Sequence, residues 1–391
     1  MKKNFCKGLF FVSLGVAVML TPVSNALEIQ AGDWKLSMNG HVNVHAIYVD
    51  CDNSGNTVAG NALLCIGDNA SSVSNGYSPA SFNFGVSTNK KGYDISAHIA
   101  IEPGTTDNAA FNGNGDGESY RAYFTIGSPK MGTLKAGRAY GVFGIDVTLQ
   151  DMSLAAGIGA PALVKSPLNT TFGAAGYGYI FPDRISQITY SNQTDSGLSG
   201  TIGIFQPLDL VSFGGAGFVG DSGSERPGVH GKVRFDHSAG FISSTFLVQS
   251  VNNGNANYTA NAVDLTATAN FGATSLTAST FKADGVGYYG LFIDAADSAG
   301  NARDTDGWFI QATHTIGNTK LGINHGVSNV DMATADTTTL IKSEQKTTAG
   351  IYYVWIPGIT VSAEYSDIMA ESHAGEKVEN NAFSVGFSMS F

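Results

Sequence analysis

The chain has 391 residues, 49 of them glycine, and carries 32 acidic against 21 basic side chains for a formal charge of −11. Binding to nucleic-acid phosphates needs clustered Lys and Arg, so this balance argues against a nucleic-acid partner. The mean hydropathy of +0.02 places the chain by itself neither in water nor in lipid.

The chain opens on "MKKNFCKGLFFVSLGVAVMLTPVSNA", which holds three lysines, an apolar run from Leu9 to Leu20, and the small-residue pattern Ser24-Asn25-Ala26. That layout predicts a secretory signal over 1-26, cut after Ala26. Its apolar core falls short of the ~20 residues of a bilayer-spanning helix. Loss of Lys2, Lys3 and Lys7 would take the formal charge from −11 to −14. Cys51 and Cys65 would then be the remaining cysteines. An even pair in an oxidising compartment, without the nearby histidine a metal site would want, reads as a disulfide.

From Trp34 onward the pattern has period two. Trp34, Leu36, Met38, Gly40, Val42, Val44, Ala46 and Tyr48 share one face, and Lys35, Ser37, Asn39, His41, Asn43 and His45 share the other. The same alternation predicts sixteen strands, at 33-49, 80-90, 92-102, 118-127, 132-139, 184-193, 197-206, 228-238, 240-251, 259-272, 274-283, 306-317, 319-328, 346-356, 358-366 and 381-391. Short turns such as "NKKG", "DSG" and "IGN" alternate with long polar connections at 50-79, 103-117, 140-183, 207-227, 284-305, 329-345 and 367-380.

Tight turns on one rim and long loops on the other are the pattern of an up-and-down transmembrane barrel. Lipid offers no hydrogen bonds, so a sheet in it must close on itself. The segments also match the ~9–11 residues a tilted strand needs to cross. A soluble sandwich or propeller would also give alternation and glycine-rich turns. It does not account for alternating loop lengths or for polar faces opposite apolar ones in nearly every strand. The expected fold is therefore all-β: a 16-stranded antiparallel barrel, a single domain over 27-391. Its apolar face meets outer-membrane lipid and its polar face lines a wet interior.

"SYRAYFTIGSPKMGTLKAGRAYGVFGID" (119-146) and "DRISQITYSNQTDSGLSGTIGIF" (183-205) resemble the general diffusion porins of Gram-negative bacteria, as do the first strand and the terminal Phe391. The resemblance implies a water-filled outer-membrane channel for ions and small hydrophilic solutes, a homotrimer without cofactor, and a third long loop, here 140-183, folded into the lumen. It also implies that Phe391 is the signal read by the barrel-assembly machinery. The loop lacks the family's common Pro-Glu-Phe-Gly-Gly run. Substrate-specific porins, and structural or adhesive barrels without an open pore, share these features.

Candidate pore residues follow from strand parity. Arg121 and Lys135 point inward, and Arg184 begins the strand after the loop. Arg138 falls on the outward parity, so either Gly137 marks a bulge that turns it inward, as the resemblance favours, or the strand has already left the apolar band there. Asp146 and Asp151 are the facing carboxylates on the loop, so acids would oppose bases across the lumen. The acidic total, with Asp294, Asp297, Asp304 and Asp306 assigned to loops, predicts weak cation selectivity.

His41 and His45 stand ~13 Å apart along a strand, too far to share a metal ion. "NGNGDGE" (112-118) approaches a calcium loop, yet Asn112 replaces the first Asp and Tyr123 stands where the bidentate Glu belongs. Nothing specifies a catalytic nucleophile: the histidines are scattered and no Gly-x-Ser-x-Gly elbow occurs.

Overall fold

The computed structural model describes residues 27–51, 58–61, 69–76, 80–103, 119–153, 173–212, 216–223 and 225–391. The signal segment 1-26, Cys65 and the calcium-like 112-118 lie outside the described residues.

Eighteen strand segments follow in order: β1 (Leu27–Ala31), β2 (Trp34–Cys51), β3 (Ala70–Ser74), β4 (Ser81–Lys90), β5 (Tyr93–Glu102), β6 (Ser119–Ser128), β7 (Gly132–Tyr140), β8 (Arg184–Gln193), β9 (Leu198–Phe205), β10 (Gly228–His237), β11 (Gly240–Asn252), β12 (Asn257–Phe271), β13 (Thr274–Asp284), β14 (Asp304–Ile316), β15 (Thr319–Val330), β16 (Ile341–Ile356), β17 (Ile359–Ser372) and β18 (Lys377–Ser390). One short helix, α1 (Ile145–Thr148), follows β7. The segments occupy sixteen positions. β3 and β4 pair with the upper and lower parts of β2, and on its other side β18 and β1 do the same. Every other pairing joins sequence neighbours antiparallel, and β18 against β2 closes the ring.

Closure follows the alternation. Facing lipid, Phe383, Val385, Phe387 and Met389 of β18 are exposed apolar side chains beside Tyr48, Val44 and Val42 of β2. Ser384, on the opposite parity, is buried in the interior. Among the described residues no helix is long and apolar enough to cross a membrane; the strands make the crossing.

The expected long connection 367-380 is instead strand on both sides, with only 373–376 between β17 and β18. The reason is an inversion of facing above the lipid band. There Asp367, Glu371 and Glu379 point outward to water, while Ile368, Ala370 and Val378 are buried inside. Polar residues spaced through this stretch therefore belong to a strand. The same inversion extends β16 back to Ile341 and places Asp304 and Asp306, assigned above to a loop, on the outer face of β14.

Phe391 completes the seam. Its N–H donates to Gly40 O (3.0 Å), its O accepts from Gly40 N–H (2.9 Å), and its ring covers Gly40, where a Cβ would come within 2.3 Å of it, 6.2 Å from the Phe82 ring. Deleting Phe391 removes this terminal pair at the seam. We expect export to continue and the fraction of folded, heat-modifiable barrels in the membrane to fall several-fold, with Gly40→Ala milder; an unchanged folded fraction in the deletion would contradict this role.

Candidate functional site

The loop after β7 folds into the barrel and is pinned along the inner wall of β10–β16. Asp264 of β12 accepts from Gly144 N–H (3.0 Å), just before α1, and from Thr245 N–H (2.9 Å). Gln311 of β14 accepts from Met152 N–H (2.8 Å) and donates to Gln150 O (2.6 Å). Farther on, Ser328 accepts from Gly178 N–H (2.9 Å), and Lys346 Nζ donates to Gly173 O (2.6 Å). A loop taken out of water needs partners for its backbone groups, and inward polar side chains supply them. Its residues 154–172 lie outside the described residues.

The two loop carboxylates do different things. Asp146, on α1, pairs with Lys232 (3.1 Å) and Arg234 (3.0 Å) of β10. Asp151 meets no base among its hydrogen bonds. Its Oδ2 accepts from Ala174 N–H (2.8 Å) and the Tyr179 hydroxyl (2.7 Å), and its Oδ1 from Ser153 N–H (2.8 Å) and Asn324 Nδ2 (3.3 Å). It clasps the outgoing and returning limbs of the loop to β15.

Among the expected bases, Arg121 and Arg184 are buried and share Glu102 of β5, at 2.7 and 2.6 Å. Both guanidiniums lie over the Tyr140 ring, whose hydroxyl accepts from Arg184 Nη2 (2.9 Å). Lys135 points inward with its Nζ 5.8 Å from the Tyr123 ring centroid. Arg138 does not join them. Gly137 adopts φ +127°, yet β7 pairs with β6 and β8 without a register shift, so Arg138 stays opposite Ala122 and Ser186 on the outer face. Its guanidinium lies 4.9 Å from the ring of Tyr120, itself 53% exposed. The inward bulge is thus corrected: Gly137 accommodates an unusual φ where a Cβ would collide with Ala122 O, without inserting a residue.

The facing of Lys232 and Arg234 was available in the sequence. His230, Lys232, Arg234 and Asp236 alternate with Val229, Val233 and Phe235. What alternation lacks is which wall the loop reaches, and its Asp146 reaches Lys232 and Arg234 of β10. Glu102 and Asp264 carry the same inward signal.

The interior divides into two sectors. Along β4–β10, Asn83, Ser96, Thr125, Lys135, Thr201, Lys232 and Arg234 are part-exposed polar side chains on inward positions. Along β11–β18, the upper inward positions are apolar and buried, including Leu247, Val251, Phe281, Phe309 and Val330, and they pack with Tyr177, Tyr179, Tyr288 and Phe292 of the loops. Tyr288 and Tyr289 both donate to Gly60 O, at 2.9 and 2.6 Å. Above them the fully buried Arg303 grips Asp336 (2.8 and 2.6 Å) and donates to Asp294 O and Ala216 O, stapling three loops. Burial would push the Asp297 carboxyl up, but hydrogen bonds from Asn301, Ala335 and Ala299 outweigh it and hold the carboxyl below its usual range. The β11–β18 side is therefore not the uniformly wet wall expected from the polar faces.

His41 and His45 are inward and buried; His41 bonds Ser390 Oγ (3.1 Å) and Asn43 Nδ2 (3.0 Å). Among the described residues no group of three His, Cys, Asp or Glu could hold a metal ion. Cys51 is disulfide-bonded, and Cys65, its expected partner, is outside the described residues.

A closed sixteen-position barrel with a loop folded into a part-polar interior matches what a family model finds: the model described as Gram-negative porin matches residues 13–372. The chain belongs to the Gram-negative porins. No curated protein sequence matches it. Similar solved structures include the outer membrane channel DcaP of Acinetobacter baumannii, with TM-score 0.68, 13% identity, and coverage of 93% of this chain and 99% of that one. The anion-selective porin from Comamonas acidovorans has TM-score 0.64 and 14% identity over 92% and 100%. OmpF of Salmonella typhi, in complex with daunomycin, has TM-score 0.62 and 15% identity over 93% and 100%. At these identities the likeness speaks for the fold. This porin is an outer-membrane channel protein by family.

The clasp at Asp151 is testable. Replacing it by Ala leaves four donors unmatched in a buried place, each worth ~1–3 kcal/mol. We expect Asp151→Ala to keep a folded barrel on unheated gels and to open the loop locally. Chymotrypsin should then cut at the buried Tyr177 or Tyr179 in intact vesicles about tenfold faster or more, since cleavage through local opening follows the opening equilibrium.

Proposed function

We propose that this porin is a passive diffusion channel for small hydrophilic solutes, with its aqueous path along the β4–β10 wall. The observation that carries this reading is the division of the interior. The β11–β18 side is filled by loops and apolar side chains, whereas the opposite wall keeps part-exposed polar and charged groups.

The total charge alone argues for cations, but selectivity follows the charges nearest the narrow path. On that wall Arg121, Lys135, Arg184, Lys232 and Arg234 outnumber Asp94, Glu102, Asp146 and Asp236. At the mouth Arg303 matches Asp336 and Lys377 matches Glu371, and the remaining carboxylates are screened over ~8 Å at physiological salt. We therefore infer a weak preference for anions in place of the cation preference read from composition. The similar barrel from Comamonas acidovorans is an anion-selective porin, which agrees with this reading.

We also infer a homotrimer. Strands β4–β10 run 8–10 residues, against 11–16 for β11–β18. At ~3.3 Å per residue and a ~45° tilt the short strands rise roughly 19–23 Å, less than the ~25 Å apolar band of an outer-membrane barrel. A wall too low for lipid, bearing the outward Arg138 that would cost ~2–4 kcal/mol at the midplane, is accounted for by contact with neighbouring copies.

In planar bilayers with a potassium chloride gradient, the reversal potential should take the sign of chloride permeation. Lys135→Glu should move it toward potassium. A potassium-selective wild type would reject the anion preference, and protein that never raises the current would reject the channel.

A further inference from the structure

We propose that Glu344 of β16 is a proton-operated fastening for the loops that fill the β11–β18 side of the interior: carrying its proton it ties them to the wall, and on losing it the wall lets them go. Only the last step, a change in current, rests on the channel reading above.

The case starts from a count of protons. Gly60 O is a carbonyl oxygen and brings none, so its contacts with the Tyr288 and Tyr289 hydroxyls, at 2.9 and 2.6 Å, each use that hydroxyl's single proton. The Tyr289 oxygen also lies 3.3 Å from Glu344 Oε2. With the tyrosine's proton spent on Gly60, the proton in this contact belongs to Glu344, which is a neutral acid donating to Tyr289. Its other oxygen, Oε1, is buried without a hydrogen-bond partner, a lack that a neutral carbonyl bears at far lower cost than an anion.

The surroundings agree. Glu344 is buried and makes no ion pair among the described residues. Its neighbours across the strands are Ser328 and Ala370, and Lys346, inward on the same strand, is committed to Gly173 O (2.6 Å). From the loops it faces Tyr177, Tyr288, Tyr289 and the like-charged Asp294, while Arg303 is taken by Asp336. Burial, with Asp294 adding to it, pushes the carboxyl well above its usual range. Burial likewise pushes the three phenols well above theirs, so they keep their protons where Glu344 gives up its own.

What this proton holds extends to the loop after β7. Ala59 bridges to Leu340 just before β16, and Gly60 carries both hydroxyls, so segment 58–61, the loop after β13 and β16 meet at one point. Tyr289 O also accepts from Phe181 N–H (3.0 Å), on the returning limb that carries Tyr177. An ionised Glu344 would face lone pairs of the Tyr289 oxygen. Turning the tyrosine's proton toward it would give up the 2.6 Å bond for the 3.3 Å one, so the anion is better served by water, which reaches it when the loops part. The released state gives its proton to solvent above the usual carboxylate range, whereas the packed state keeps it. Packing is therefore strongest in acid and weakens as pH rises, until the packed carboxyl itself ionises.

The test uses the full-length protein in outer-membrane vesicles. Glu344→Gln can still donate to Tyr289 and cannot ionise, so the ratio of wild-type to variant chymotrypsin cleavage at Tyr288 and Tyr289, taken at each pH, cancels the protease's own pH profile. We expect that ratio to rise with pH by up to about tenfold per unit, the slope of one released proton, since cleavage through local opening follows the opening equilibrium. Single-channel conductance of the wild type should rise over the same range and stay level in Glu344→Gln. The infrared difference between wild type and variant at neutral pH should show the carbonyl band of a neutral carboxylic acid. Folding is checked on unheated gels, and Glu344→Met, also uncharged at every pH, takes the place of a Gln variant that does not fold. A cleavage ratio independent of pH, or a carboxylate in place of the neutral acid, would overturn the proposal. A ratio that rises as expected in protein that never passes current would leave the fastening standing and overturn the channel.

Discussion

Backbone hydrogen bonding in a medium without water is the constraint on which this molecule depends. A sheet in lipid has no tolerable edge, so the end of the chain must find its beginning. Here β18 meets β2 over eleven paired residues, and Phe391 adds one more pair at Gly40 before β1 takes over the same side of β2. The two-faced composition of the last strand follows directly. Its outward residues must be apolar, whereas its inward ones need only be small enough for what lies inside.

The same accounting governs the loop brought into the barrel. A segment that leaves water carries its own N–H and C=O groups, and each must be matched by the wall. This explains why the most consequential inward residues are single acceptors and amides at separated heights: Asp264 before α1, Gln311 at 150 and 152, Asn324 beside Asp151, and Ser328 at Gly178. Asp151 looks like a pore charge when only its type and loop position are known. With its four donors in view it is a structural clasp, and the loop's ion pairs with β10 lie at Asp146 with Lys232 and Arg234.

Much of the fold was legible because alternation reports facing directly, and facing inside a lipid band has one physical meaning. All sixteen predicted positions are occupied, and the boundaries fail where that meaning lapses. Above the band, Ile368, Ala370 and Val378 turn inward while Asp367 and Glu371 turn out, and a rule built on apolar-outward reads the stretch as loop. Site residues were legible one at a time. Arg121, Arg184 and Lys135 point inward as parity requires. Their partners depend on contacts across strands distant in sequence, such as Glu102 with both arginines and Asp146 with β10, and no local pattern encodes them. At Arg138 parity alone was right, and the unbroken register of β7 is why.

Taken together, the filled side and the open side of the barrel are one arrangement. The tall strands β11–β18 rise above the lipid and need an internal packing partner for their inverted apolar faces, which the loops provide. The low strands β4–β10 have no such surplus, and below the buried Ile185 and Phe205 their inward faces keep polar residues such as Ser96, Thr125, Lys135, Thr201 and Lys232. The water path we propose runs along the wall that carries Lys135, which has no hydrogen bond or ion pair among the described residues, so on that reading the charge beside the path is set by folding geometry rather than by the composition of the whole chain. In a confined, part-dehydrated path a single unmatched ammonium outweighs many screened carboxylates at the mouth. On the proposed reading, the net charge of the chain is therefore a poor guide to selectivity.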